Sequence, residues 1–109
     1  SKGIQLRDFV YVDDVVNAIL KSLVSKKAKG QIINLGSGKP KKIKSIIQTI
    51  KKTLNGGYPQ FGEIKLRKDE IIKLYPNIKK AKKIINWKPK ISFEKGLKET
   101  IKYYNEHKQ

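Results

Sequence analysis

A mixed α/β chain of about three short strands and four helices is the fold class this sequence predicts, in the order β-α-β-α-β-α-α. That is too few strands for a complete nucleotide-binding sheet. Aliphatic residues recur at helical spacing in separate blocks, the mark of amphipathic helices. Between the blocks lie short runs of β-branched and aromatic residues, which read as strands. Glycine, asparagine and proline punctuate the joins, where the chain must turn or leave a helix.

Phe9-Val10-Tyr11-Val12 reads as the first strand. Asp13 then offers a helix N-cap and Asp14 a first-turn negative charge. The first helix follows with Val15, Val16, Ile19, Leu20, Leu23 and Val24 on one broad face, and Lys29-Gly30 closes the segment. Gln31 to Leu35 reads as a second strand ending at Gly36-Ser37-Gly38. Ile43, Ile46, Ile47, Ile50 and Leu54 mark a second helix, stopped by Asn55-Gly56-Gly57, residues that readily take the left-handed conformation of a C-cap. Glu63 to Arg67 alternates around Ile64 and Leu66 and reads as a third strand. Ile78, Ala81, Ile84 and Ile85 give a short helix that must end before Trp87-Lys88-Pro89. Ser92 caps the last helix, with an apolar stripe of Phe93, Leu97, Ile101 and Tyr104.

The chain of 109 residues has the length of one small domain with a single core. No stretch reaches the roughly 20 apolar residues of a membrane span, and Ser1 to Arg7 hold no apolar run of the kind a signal peptide needs. There is no cysteine, so disulfides and thiolate metal sites are excluded, and a cytoplasmic protein without membrane contact is the expectation. The formal charge is +17, yet of 26 basic residues only Arg7 and Arg67 are arginines. Readers of bases and phosphates favour arginine's planar fork, so most of the lysines read as a solvated surface and nucleic acid is not the expected partner.

Gly36-Ser37-Gly38 lacks the third glycine of a dinucleotide fingerprint, because Lys41 stands there; it reads as a plain tight turn. Arg7 precedes one predicted strand and Arg67 closes another, and at a strand end a guanidinium can reach into a cleft and hold a diphosphate. Asp8 and Glu70 are equally ready to pair with them, and spacing leaves both possibilities open. Asp13 and Asp14 are explained by helix capping. Tyr11 has Val15 rather than a lysine four residues on. His107 lies near the end of the chain, and no metal site is supported. Trp87 beside Pro89 reads as a packing anchor. Phe9, Phe93 and Tyr104 also fall at predicted core positions.

Several segments, in order along the chain, carry a resemblance. Gly3 to Val16, with Arg7-Asp8-Phe9-Val10-Tyr11-Val12-Asp13-Asp14, is similar to the G-x-x-x-R-D-F/Y-V-Y/H-V-x-D block of the NAD-dependent epimerase/dehydratase family, the extended short-chain dehydrogenases. Asn34-Leu35-Gly36-Ser37-Gly38 resembles its N-x-G-x-G turn. Leu66-Arg67 to Glu70, and Asn77 with Lys80-Ala81, resemble its R-x-x-(D/E) and D-x-x-K-A region. Asn86-Trp87-Lys88-Pro89 and Gly96-Leu97 with Thr100 resemble its G-W-x-P and G-L-x-x-T signature. Asn77 stands where the family usually has Asp, Asn86 where it has Gly, and Lys42 where a capping Ser or Thr is common.

The resemblance implies a partial Rossmann-type fold, residues 1–109 forming one C-terminal, substrate-side fragment that binds a nucleotide sugar. It implies that Arg7 contacts the diphosphate or nucleoside, Arg67 a phosphate and Glu70 a ribose hydroxyl. The family's glycine-rich NAD(P) turn and its Tyr-x-x-x-Lys pair have no counterpart here, so no catalysis is expected of the chain alone. NAD or NADP is implied for a full-length parent, with a missing N-terminal cofactor domain as partner. Apolar faces such as Val15, Ile19 and Leu23 then lack cover, and self-association is expected. A small lysine-rich module binding nucleic acid or another polyanion is the alternative.

Overall fold

The computed structural model describes residues 1–108. Its elements run β1 (Leu6–Arg7), α1 (Val12–Val24), a 3-10 turn (Lys26–Ala28), β2 (Lys41–Lys42), α2 (Ile43–Leu54), β3 (Lys73–Leu74), α3 (Lys79–Ile85) and α4 (Phe93–Glu106). The strands form one mixed sheet in the order β2-β1-β3. β1 runs antiparallel to β2, with Leu6 opposite Lys42, and parallel to β3, with Leu6 opposite Lys73. The alternation and number of elements agree with the sequence reading.

The strand positions do not. Phe9–Val12 forms no strand; pairing lies upstream at Leu6–Arg7, and Tyr11 is already the N-cap residue of α1. Gln31–Leu35 keeps the alternation of a strand, with Ile33 and Leu35 turned to the core and Ile32 exposed, but no other strand pairs with it among the described residues. Glu63–Arg67 lies in turns and unpaired chain, and the third strand is Lys73–Leu74. An apolar run specifies side-chain faces; a ladder also needs a partner backbone within reach.

Helix ends follow local chemistry more closely. Ser92 Oγ accepts from the Lys95 amide at 3.2 Å and caps α4 as expected. Asn55 (φ 51°) and Asn86 (φ 48°) take the left-handed conformation that ends α2 and α3. The tolerance of asparagine for this region explains why Asn86 serves where glycine is commoner. Asp13 is not an N-cap: α1 starts one residue earlier, and Tyr11 makes no side-chain capping bond.

The core sits between α1, α3 and the 3-10 turn, around Ala18, Ala81, Ile85 and Trp87. Ala18 and Ala81 are both almost completely buried, and their small side chains let α1 and α3 approach closely. Trp87 is the packing anchor the sequence predicts, with no exposed surface. Two other predicted core aromatics are not buried: Tyr104 is 67% exposed and Phe9 is rim-exposed, edge-on to the half-buried Phe93 at 6.1 Å. The broad face of α1 is open as well, with Val16, Ile19, Leu20, Leu23 and Val24 all exposed.

The molecule is a slab of 48 × 39 × 22 Å with a radius of gyration of 16.6 Å, against roughly 13 Å for a compact domain of this length. Its accessible surface is 8886 Å², where a self-contained protein of this mass exposes about 6,200 Å². The uncovered α1 face contributes to that excess, as do other exposed aliphatic side chains such as Ile4, Ile32, Ile64 and Ile71.

Candidate functional site

Arg7 is held by its own strand and by the chain that leads into β3, which lies beside β1 in the sheet. Its Nη1 donates to the Leu6 carbonyl at 2.8 Å and to the Ile72 carbonyl at 3.4 Å, and its Nη2 donates to Glu70 Oε1. Arg67 approaches the same carboxylate from the other side, with Nε and Nη2 donating to Glu70 Oε2 at 3.2 and 3.0 Å. A turn in which the Glu70 amide donates to the Arg67 carbonyl sets that spacing. The three residues named from the sequence thus meet in one cluster. Glu70 is 11% exposed, Arg7 24% and Arg67 79%, so Arg67 presents the open face.

Asp8 takes no part in this pairing. Its neighbour Arg7 lies in an extended strand, where successive side chains leave on opposite faces. Asp8 Oδ1 accepts from the Ser37 amide at 2.8 Å and Oδ2 from the Gly38 amide at 3.0 Å. Paired turn amides of this kind make an anion-binding nest, and here the anion is the chain's own carboxylate. Gly36 is required beside it: a Cβ there would stand 2.6 Å from Asp8 Oδ2 and 2.5 Å from Pro76 Cγ. An open hollow lined by Arg7, Asp8, Asn34, Gly36, Leu74 and Tyr75 lies alongside.

Asp14 is buried, and its carboxylate accepts from the Lys90 and Ile91 amides at 3.0 Å each. Asp13 is exposed, so the two do not form an acid/base pair. The Tyr11 phenol is raised above its ordinary value of 10.0, by desolvation first and then by the charges of Asp13 and Glu99; this is opposite to what a proton-transferring phenol requires. His107 Nδ1 lies 2.8 Å from the Tyr103 carbonyl and its ring stacks on Tyr103, within the end of α4. No group of metal-ligating side chains occurs among the described residues, and no helix there is long and apolar enough to cross a membrane.

Sequence reasoning named Arg7, Arg67 and Glu70 but missed the turn clamp of Asp8 and the latch of Asp14. Two signals were available: a carboxylate with a Gly-x-Gly turn downstream, and the second of two helix-start aspartates, only one of which can serve as a cap.

Residues 2–100 match the family model described as GDP-mannose 4,6 dehydratase. The UDP-glucuronate 4-epimerase of Thermodesulfobacterium geofontis is 38% identical over 106 residues, covering 96% of this chain and 32% of that protein. The UDP-glucose 4-epimerase of Thermotoga maritima, solved with UDP-glucose, aligns over 100% of this chain and 34% of its own, with TM-score 0.82 and 28% identity. The dTDP-glucose 4,6-dehydratase of Bacillus anthracis, solved in complex with NAD, aligns over 99% of this chain and 34% of its own, with TM-score 0.79 and 27% identity. The chain spans about a third of the length of the curated relatives it matches. The family relationship read from those sequence segments is borne out.

Proposed function

The chain belongs to the GDP-mannose 4,6 dehydratase family, and from that premise we propose that residues 1–109 form the C-terminal, substrate-side portion of an NAD(P)-dependent nucleotide-sugar epimerase, dehydratase or reductase, in which Arg7, Arg67 and Glu70 hold the nucleotide sugar. The observation that supports this most is the meeting of Arg7 with Arg67 and Glu70, residues about sixty positions apart, in one ion-paired cluster at the central strand. The outer edge of the Arg67 guanidinium takes phosphate oxygens, where a planar fork binds bidentately. Glu70 accepts a ribose hydroxyl from within the cluster.

The chain's own residues do not fit a dinucleotide. The Ser37 and Gly38 amides that would cradle a pyrophosphate already serve Asp8. NAD or NADP therefore belongs to a partner N-terminal domain, and this portion contributes binding and orientation of the substrate, with no proton transfer of its own.

Calorimetric titration with UDP-glucose, dTDP-glucose and GDP-mannose tests the assignment. Charge-assisted hydrogen bonds to phosphate contribute about 1.5–3 kcal/mol, so Arg67→Ala weakens binding of the preferred ligand about tenfold to a hundredfold. Arg67→Lys recovers part of the loss, and Lys51→Ala or Lys98→Ala is nearly neutral. Silence of Arg67→Ala would remove the assignment's central residue.

The polyanion reading draws on a separate observation. Residues 15–62 contain no acidic side chain, and Tyr58 and Tyr104 are exposed near lysines, an arrangement suited to stacking on single-stranded nucleic acid. It requires losses shared evenly over many lysines and a steep fall in binding with salt.

A further inference from the structure

We infer that Glu70 is the specificity-determining residue of the arginine cluster: its carboxylate is a resident anion that keeps bare phosphate, diphosphate and other polyanions off Arg7 and Arg67. The inference rests on the cluster being a ligand site, and it deepens that reading. At +17 the chain attracts every anion in solution, so selection among anions has to come from local structure.

Two guanidinium groups and one carboxylate lie in direct contact. The carboxylate engages both of its oxygens, Oε1 with Arg7 and Oε2 with the Nε and Nη2 of Arg67. At 11% exposure its charge is poorly screened by solvent. A bare diphosphate approaching Arg67 meets that charge at short range. To take the Nε–Nη2 edge it must also displace a carboxylate whose hydrogen-bond donors among the described residues are these two arginines. A nucleoside diphosphate carries sugar hydroxyls in addition, and these are donors that a displaced carboxylate accepts. Glu70 therefore penalises an anion that arrives without sugar hydroxyls and accommodates one that carries them.

The chain has two arginines in all, so the two arginine Nε–Hε signals in a proton–nitrogen correlation spectrum report the cluster directly, without interference from anions bound at lysines. Inorganic diphosphate and UDP are titrated in parallel at fixed ionic strength into the 109-residue chain and its variants. Removing one unit charge at close range under partial screening corresponds to about threefold to tenfold in affinity. Glu70→Gln and Glu70→Ala are expected to lower the midpoint for inorganic diphosphate on the Arg67 signal by that factor, while UDP gains less or weakens. Glu70→Asp keeps the charge and should leave the diphosphate midpoint near the wild-type value.

An unchanged or raised diphosphate midpoint in both neutral variants overturns the inference, as does an equal gain for the two ligands. If neither arginine signal responds to UDP in the wild-type chain, the nucleotide-sugar assignment fails, and the diphosphate comparison still decides the role of Glu70.

Discussion

The indole N–H of Trp87 donates to the main-chain carbonyl of Asp14 across 2.9 Å, joining the first turn of α1 to the chain that leads into α4. The same aspartate accepts two amides from Lys90 and Ile91 through its side chain. One residue therefore fixes the path from the end of α3 to the start of α4.

Removing that latch is expected to be expensive for so thin a fold. Asp14→Ala leaves two amides without their acceptor and should cost about 2–4 kcal/mol, and Trp87→Phe about 2–3 kcal/mol through the lost indole hydrogen bond and the smaller ring. Urea unfolding followed by far-ultraviolet circular dichroism measures both. A loss under 1 kcal/mol for Asp14→Ala would show that the contacts are replaceable by water.

Gly36 and Gly56 make a matched pair of glycine tests. Gly36→Ala places a methyl group against Asp8 and Pro76, whereas the nearest atom to a Cβ on Gly56 is 3.9 Å away. Overpacking of this kind costs about 1–3 kcal/mol. Gly36→Ala should lower the unfolding midpoint clearly and Gly56→Ala hardly at all.

Lys42 is the N-cap residue of α2 and makes no side-chain capping bond. Lys42→Ser or Lys42→Thr supplies the missing acceptor, and a gain of about 1 kcal/mol is expected. Thermal unfolding of the variants against the parent chain checks it.

The order of elements was legible in the sequence because helix starts and stops are local events. Ser92, Asn55 and Asn86 each act within a few residues of themselves. Strand positions were not legible. Ile33 and Leu35 face inward as their alternation requires, but whether Gln31–Leu35 joins a ladder depends on which other backbone lies beside it. The cluster members Arg7, Arg67 and Glu70 stood out because arginine is scarce and their segments resembled a family. Their pairing scheme was hidden, since Asp8 and Glu70 are equivalent as charges. Only the folded chain sends Asp8, just past the end of β1, to the turn at Ser37 and leaves Glu70 to both arginines.

The open face of α1 should make the isolated chain associate. Leu20 is 58% exposed and Leu23 76%, on a surface where contiguous apolar area marks an interface. Sedimentation velocity is expected to find species larger than a monomer at micromolar concentration. Leu20→Lys combined with Leu23→Lys should shift the distribution toward monomer while the far-ultraviolet circular dichroism of the folded chain is retained. A monodisperse wild-type monomer would refute the expectation.

A thickness of 22 Å also governs how the chain breathes. Two layers of backbone nearly fill that dimension, so few amides lie more than one side chain from water. Exchange of amide hydrogens with solvent then proceeds through local openings over most of the molecule, at free energies well below that of global unfolding. Slow exchange contracts to the neighbourhood of Ala18, Ala81 and Trp87, and the isolated slab behaves as a small rigid knot carrying loosely held margins.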